Sequence, residues 1–540
     1  MRGVAAVLLV MAVVASACGG GGGDSTSGDG TTDTSAGGEP QQGGKVVYGL
    51  EAENGGGWCL PEAQLAISGI QIARTIYDTL TVPNENGGYV PYLAKSVTPN
   101  ASFDEWTIKL RDGVQFQDGS ALTAEVVKNN LDAFRGQYAA RKPLLFVFVF
   151  GNVDTVEATG PLTVKVTTKV PWPSFPAYLY SNGRFGISGQ AQLDDAEHCD
   201  TNLIGTGPFE LKEWKQNDHL TAVKNADYWN QPYPYLDEIE YRPMPEASQR
   251  LNAFQSGEIS AMHTSGADLI KDLREFQSQG DAGLVEADKY AEVGYVMLNA
   301  SKPPFDNLIA RQAMAYSGNR DAINEIINLG LLQNASGPFA PGSMGYLEDT
   351  GYPGHDLDKA KALVRQYEQE TGLPFEFTIT STPDTGIIAT AELVKQYAED
   401  AGATVKLAQV EQTQLISTAI AGNFNAILWR NHPGGDPDAQ YVWWHSGSPV
   451  NFGKFSDPEI DRLLDEGRSE PDTTKREQIY QDLNRRFSEQ LWNLWGQWTL
   501  WAVATDPGIH GVMGPDLPDG SGPFPGLADG HTVMGMWVEQ

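Results

Sequence analysis

Between Leu357 and Trp429 helical and strand periodicities alternate, and this constrains the fold more than any other stretch of the chain. Leu357, Ala360, Leu363, Val364 and Tyr367 recur at helical spacing, and Gly372 ends that helix. Phe375, Phe377 and Ile379 alternate as a strand, and Leu393, Val394, Tyr397 and Ala401 mark a second helix. Val405 and Leu407 read as a strand, Leu415, Ile416 and Ile420 as a third helix, and Ala426 to Trp429 as a further strand. Strands separated by helices run parallel, because a parallel neighbour needs a long crossover. Open sheets of this kind bind ligands beyond the carboxyl ends of their strands. The expected fold class is therefore α/β, with a candidate site in the loop starting at Arg430.

The amino terminus fixes where the chain works. Arg2 precedes an apolar run from Val4 to Val14, then Ala15, Ser16, Ala17 and Cys18, then five glycines. A basic residue, a short apolar stretch and small residues before a cut site make an export signal over 1–17, because the run is too short to span a bilayer. Cysteine directly after those small residues resembles the lipobox of bacterial lipoproteins, which implies acylation of Cys18 and an extracytoplasmic protein anchored to the membrane through lipid. An ordinary secretion signal with an incidental cysteine is the weaker reading. Of the 26 residues from Gly19 to Gly44, 18 are Gly, Ser or Thr. Such a segment cannot bury enough surface to fold, so 18–44 reads as a flexible tether.

The remaining body is large enough for two or three domains. Its charge is strongly acidic, with a formal net charge of −32, and no basic cluster offsets it. This excludes nucleic acid as a partner and disfavours anionic lipid surfaces. Besides Cys18 only Cys59 and Cys199 occur. In an exported chain a structural disulfide between them is the preferred reading, and metal ligation the weaker one, because His198 beside Cys199 has no spaced partners. No metal and no cofactor are expected. Past the signal no apolar run is long enough to span a membrane, and Leu144 to Phe150 reads as a buried strand.

Trp106 to Leu110 alternates as a half-buried strand, Arg111-Asp112-Gly113 supplies a turn, and Val114 to Phe116 reads as a second short strand. Asp118-Gly119-Ser120 turns again, and Thr123 caps a helix that continues through Glu125, Val127 and Leu131 to Phe134.

This block, from Leu93-Ala94-Lys95-Ser96 through Trp106 to Phe116 and Asp118 to Glu125, resembles the signature stretch of the peptide/nickel family of extracellular solute-binding proteins (family 5). Three further blocks follow in family order. They are Gly205-Thr206-Gly207-Pro208-Phe209 through Glu213-Trp214 to Asp227-Tyr228-Trp229, the Leu251–Ile259 stretch, and Leu298-Asn299 through Pro304-Phe305-Asp306 to Arg311-Gln312-Ala313. The resemblance covers Lys45 to about Val503 and weakens after Gly511. It implies a periplasmic-binding-protein-like fold, two lobes around a hinge with an extra domain. Domain I would comprise 45–76, 201–296 and 501–540, domain II 77–200 and domain III 297–500. It also implies a monomeric substrate-binding lipoprotein of an ABC importer, not an enzyme, that captures a peptide or similar small polar solute in an interlobe cleft. Its partners would be the membrane permease and the ATPase subunits.

Catalytic signatures are missing from the sequence. It holds no Gly-Lys-Ser or Gly-Lys-Thr phosphate loop and no Gly-x-Ser-x-Gly elbow, and Gly205-Thr206-Gly207 reads as a turn, not a nucleotide fingerprint. A secreted hydrolase acting on a glycan or peptide is the alternative function. The segment Trp429 to Asp438 carries the candidate site, because prolines and glycines fix an irregular loop on which an aromatic, a cation, an amide and carboxylates converge. Arg430, Asn431, His432 and Asp436 are the polar ligand candidates, with Trp58, Trp429 and Trp498 as flat apolar walls. Asp436 suits ligand contact and turn-making equally, and Asp438 also suits a helix cap before Tyr441. Peptide binders of the family place an acidic residue shortly after the aromatic here. In this chain Pro433 or Gly434 occupies that position, with Asp436 displaced by a few residues.

Overall fold

Lys45–Leu50 is the central strand of the largest sheet, its alternating apolar residues buried between parallel neighbours on both sides, Glu238–Pro243 and Ala261–Thr264. The computed structural model describes residues 38–431 and 434–540. The expected signal, Cys18, most of the tether and His432 lie outside the described residues. The large sheet has seven strands, in the order Gly283–Ala287, Trp501–Thr505, Ala261–Thr264, Lys45–Leu50, Glu238–Pro243, His219–Lys224 and Phe209–Lys215. Its outer pairs are antiparallel.

A second sheet of five strands, here the crossover sheet, runs in the order Thr404–Gln409, Glu376–Ser381, Ala426–Asn431, Val293–Leu298 and Asn493–Trp498. The first three strands are parallel, as the helix-strand alternation predicts, and the helices Leu357–Thr371, Thr385–Asp400 and Gln412–Ala421 form as read. Gly372 closes the first of these helices in the left-handed conformation. Val293–Leu298 and Asn493–Trp498 complete the sheet in antiparallel pairing. A third, fully antiparallel sheet holds Ala94–Pro99, Glu105–Leu110, Thr163–Thr168 and Val153–Gly160.

The backbone passes between the large and crossover sheets at 288–292 and again at 499–500. The two passages are bonded to each other, Thr499 N–H donating to the Glu292 carbonyl at 2.9 Å. The fold is thus mixed α/β with two lobes joined by a narrow double crossing. Among the described residues no helix is long and apolar enough to cross a membrane.

Three local expectations need correction. Leu144 to Phe150 is not a strand; Val147–Phe150 forms one helical turn. An apolar run by itself fits either state. The turn sends Phe150 inward against Phe185 and Trp172 (ring centres 5.2 and 6.1 Å) and Phe148 outward onto Tyr441. Val114 to Phe116 yields only a single bridge, Gln115 to Ala121, because left-handed Gly113 and Gly119 turn the chain on either side and leave no length for a ladder. Finally, the strand before the candidate loop continues to Asn431, so Arg430 is a strand residue. The Thr123 cap is as read, its hydroxyl accepting from Val126 N–H, and the helix it opens spans Ala124–Phe134.

Gly205-Thr206-Gly207 is more than a turn. Gly207 N–H donates to the Ile76 carbonyl at 2.9 Å, and a Cβ on Gly205 would lie 1.9 Å from that same oxygen. Only glycine permits this approach of the returning chain to the end of helix Ile67–Ile76. Cys59 and Cys199 are joined by a disulfide whose Cα atoms lie 5.2 Å apart across a sequence separation of 140. We expect Gly205→Ala to lower the unfolding free energy by about 2–3 kcal/mol, read from urea melts; a change within about 0.5 kcal/mol would refute the packing argument. Replacing both Cys59 and Cys199 by serine is expected to cost about 3–5 kcal/mol in the same assay, matched by the reduced native protein.

Candidate functional site

The carboxyl ends of strands from both sheets converge on one guanidinium. Arg430 near the end of Ala426–Asn431 reaches Glu51, just past Lys45–Leu50, at 2.8 Å, and donates to Ser265 Oγ, just past Ala261–Thr264, at 3.0 Å. Its other neighbour is Glu292 of the crossing segment, at 3.3 Å, and its guanidinium lies 5.2 Å from the ring centre of Trp501. One arginine therefore ties the large sheet, the crossover sheet and the passage between them. About a third of its side chain (33%) is still exposed, so donor surface remains for a ligand.

The electrostatics of this junction follow from burial and pairing. Burial, the largest single influence, would raise the Glu51 carboxyl, but Arg430 with His263 and Arg250 together outweigh it and hold the group below the ordinary carboxylate range. Arg430 is pushed the other way: burial lowers it, while Glu51 and Glu292 raise it further, and the net direction is up. His263 is neutral. Its Nε2 accepts from the Glu51 N–H at 3.1 Å, and burial depresses it to about 3. Arg250 donates to the carbonyls of His263 and Met244 from beneath.

A second seam forms where the loop after Ala426–Asn431 meets the segment 77–200. Gly435 N–H donates to Tyr89 Oη at 3.1 Å, and a Cβ on Gly435 would lie 2.7 Å from the Gly87 carbonyl. Asp436 caps the short turn Pro437–Gln440, accepting from Asp438 N–H at 2.9 Å, and its two oxygens fork with Arg476 at 2.5 and 2.7 Å. Asp438 is fully buried and accepts from Trp172 Nε1 (2.7 Å), Ser174 Oγ (2.8 Å) and Arg468 Nε (3.0 Å). The Arg468 guanidinium sits 3.4 Å from the centre of the Tyr441 ring. Asp438 is therefore not the helix cap that its position before Tyr441 suggests. Asp436 takes the capping role, and Asp438 is the buried acceptor between two regions of the chain.

The residues singled out from sequence are divided by strand alternation. Trp429 pairs with Tyr295 and Asn431 with Val293, whereas Arg430 pairs with Gly294, so Trp429 and Asn431 share one face of the crossover sheet and Arg430 takes the other. Trp498 lies in the same cross-strand row as Asn431, both opposite Val293. Trp429 packs on Phe452 with ring centres 5.8 Å apart, and Asn431 donates to Gln440 Oε1 at 2.5 Å. Trp58 stands apart. It is 0% exposed and meets Trp214 edge-on, which makes it part of the core and not a cleft wall.

Sequence reasoning missed Glu51, Ser265, Glu292 and Trp501. Their common signal is position: each lies at a strand terminus or in the crossing between sheets. That signal becomes readable only when the strand order is known.

The family model for bacterial extracellular solute-binding proteins, family 5 Middle, matches residues 88–453. The glutathione-binding protein GsiB of Pectobacterium atrosepticum is 28% identical over 437 residues, covering 76% of this chain and 80% of its own. The solved structure of AgaA from A. tumefacien R10 in complex with agropinic acid superposes with a TM-score of 0.82 at 25% identity, covering 92% of this chain and 99% of that one. AppA of Bacillus subtilis, solved in complex with a nonapeptide, superposes with a TM-score of 0.82 at 22% identity, covering 93% of this chain and all (100%) of that one. The two-lobed fold, the strand-end junction and the match across most of the chain lead to one conclusion: this protein belongs to the family 5 bacterial extracellular solute-binding proteins, the substrate-binding components of ABC importers.

Proposed function

We propose that the chain captures a peptide or similar small polar solute carrying a carboxylate, between the large and crossover sheets, and presents the closed form to a membrane permease driven by separate ATPase subunits. The observation that carries this reading is the Arg430 fork at the facing strand ends, held by Glu51, Ser265 and Glu292 with a third of its surface unspent. A planar guanidinium suits a carboxylate, and a ligand that displaces Glu51 would free that carboxylate to meet a ligand amine. Glutathione, a nonapeptide and agropinic acid, which the relatives' descriptions name, all carry carboxyl groups. A solute that contacts both lobes favours the closed state by its differential affinity for it.

Trp429, Asn431, His432 and Trp498 are kept as further candidate ligand contacts; of these Trp429, Asn431 and Trp498 lie on the face of the crossover sheet opposite Arg430. Asp436 is given a supporting role through Arg476, and Trp58 a packing role. The relatives are binding proteins, so nothing in them favours the hydrolase alternative. The three-region division, domain I over 45–76, 201–296 and 501–540, domain II over 77–200 and domain III over 297–500, belongs to this reading; in its support, the strands of the large sheet all come from the domain I segments. The reading also includes a monomer anchored through acylated Cys18 outside the cytoplasm.

Calorimetric titration with glutathione and a tripeptide series tests the cleft. The best wild-type ligand is expected to bind at least tenfold more weakly to Arg430→Met, about 1.4 kcal/mol, and unchanged affinity would remove Arg430 from the site. Asp436→Ala leaves the Arg476 guanidinium buried without its partner, so it is expected to lose about 3 kcal/mol of stability in urea melts. Cys18→Ala is expected to move the protein from the membrane pellet to the soluble fraction, and continued sedimentation would argue against acylation.

A further inference from the structure

The loop after Lys45–Leu50 begins at Glu51, the partner of Arg430, and ends at Cys59. Both ends are tied down. Glu51 N–H donates to His263 Nε2 at 3.1 Å and Ala52 N–H to Ser68 Oγ at 3.2 Å. At the far end Cys59 is joined to Cys199, Trp58 N–H donates to the Asp200 carbonyl at 3.2 Å, and a Cβ on Gly57 would lie 2.6 Å from Asp200 Cβ. Between these ties the loop reaches the other lobe: a Cβ on Gly55 would lie 2.5 Å from Thr413 Oγ1, in the first turn of helix Gln412–Ala421. Residues 51–59 therefore form a strap from the large-sheet lobe to the crossover-sheet lobe, and the disulfide fastens it.

The fastening holds a buried cation. Arg141, with 3% of its side chain exposed, donates Nη1 to Cys59 Sγ at 3.0 Å and Nη2 to the Asp195 carbonyl at 2.8 Å. Among the described residues its Nε has no hydrogen-bond partner, and its ion-pair partner Glu62, which accepts from Lys142 N–H, stands off at 3.9 Å. The other charged groups beside the pair lie on the Cys199 side, Asp200 and Asp195 with His198 (3.5 Å). A disulfide sulfur is a weak, uncharged acceptor, so the guanidinium is buried against a poor partner. The same sulfur as a thiolate would be a counter-ion at contact distance, and a neighbouring arginine is one of the settings that favour thiolate over thiol. Cys59 is half-buried, whereas Cys199 is 3% exposed.

We propose that Cys59–Cys199 is a thiol-exchange site that regulates the strap: a small thiol reduces it, Cys59 remains as a thiolate on Arg141, and the released strap loosens the cleft. In the first step a small thiolate bonds to Cys59 Sγ, and Cys199 leaves and takes a proton. In the second, another small thiolate bonds to the sulfur of the first, and Cys59 leaves as a thiolate against Arg141, which favours this step because a stabilised thiolate is the better leaving group. Two small thiols and one protein disulfide thus give one small disulfide, a thiol on Cys199, a thiolate on Cys59 and one proton to solvent. The effect on cargo rests on the interlobe reading above; the exchange itself does not.

The test equilibrates the mature protein with 2-mercaptoethanol and its disulfide, which carry no carboxylate to compete for Arg430, and counts alkylated cysteines peptide by peptide in the mass spectrometer. At fixed buffer composition the ratio of reduced to oxidised protein is expected to rise about tenfold per pH unit from about pH 6 to about pH 8, because one proton leaves per disulfide reduced. Two ordinary thiols stay protonated in that range and give a flat ratio, which would overturn the proposal. Arg141→Met is expected to flatten the slope and to make the disulfide about fivefold or more harder to reduce near pH 8, whereas His198→Gln is expected to keep the slope. An unchanged slope in Arg141→Met or a lost one in His198→Gln would each overturn it. In the reduced native protein, hydrogen exchange is expected to quicken at 52–58 and 412–416, and unchanged exchange there would overturn control of the strap. The best cargo of the oxidised protein is expected to bind the reduced form about fivefold or more weakly, and equal affinity would likewise overturn it. An oxidised protein that binds no cargo counts against the interlobe reading, and the pH slope and hydrogen exchange still decide this one.

Discussion

The double passage of the chain at 288–292 and 499–500 is the constraint on which the rest of the molecule depends. Two short stretches bonded to each other through Thr499 and Glu292 hold the large and crossover sheets together covalently, so the relative position of the lobes is decided by side chains. Arg430 is the main one, since it touches a residue of the large sheet, a residue of the passage and the end of its own strand at once. A ligand that competes for that guanidinium therefore acts where leverage over the lobes is greatest.

The seam between 77–200 and the loop after Ala426–Asn431 combines the stacking of Phe148 on Tyr441 with polar and charged contacts. Asp438 buries a full negative charge, and the cost is offset by two neutral donors and a stacked arginine. Arg468 also lies over Trp172 and Tyr178, so cation–π contact spreads its charge over aromatic faces contributed by a distant region of the chain. The hydrogen-bonded part of this seam is directional, so small displacements break its geometry. This suits lobes that must occupy defined positions and not a continuum.

The local structure was largely legible. Thr123, Gly372 and the apolar spacings from Leu357 to Ala426 encode their caps, helices and parallel strands through side-chain period and backbone preference, both of which act within a few residues. The misreadings occurred where local preference is silent. Leu144 to Phe150 is apolar throughout, and only its neighbours Phe185, Trp172 and Tyr441 select one helical turn. Proline and glycine soon after Arg430 predict a loop there, yet pairing with Gly294 extends the strand through it.

By itself, then, the sequence determined the element types, the crossover arrangement, the family and the general place of the site beyond strand ends. Only the tertiary structure decided which residues meet there. Trp429 and Arg430 are adjacent in sequence and lie on opposite faces of one strand, while Glu51 and Arg430 are far apart and in contact. The reason is physical: the face on which a strand residue emerges, and the strand end it confronts, depend on register with partners hundreds of residues away, and no local spacing carries that information.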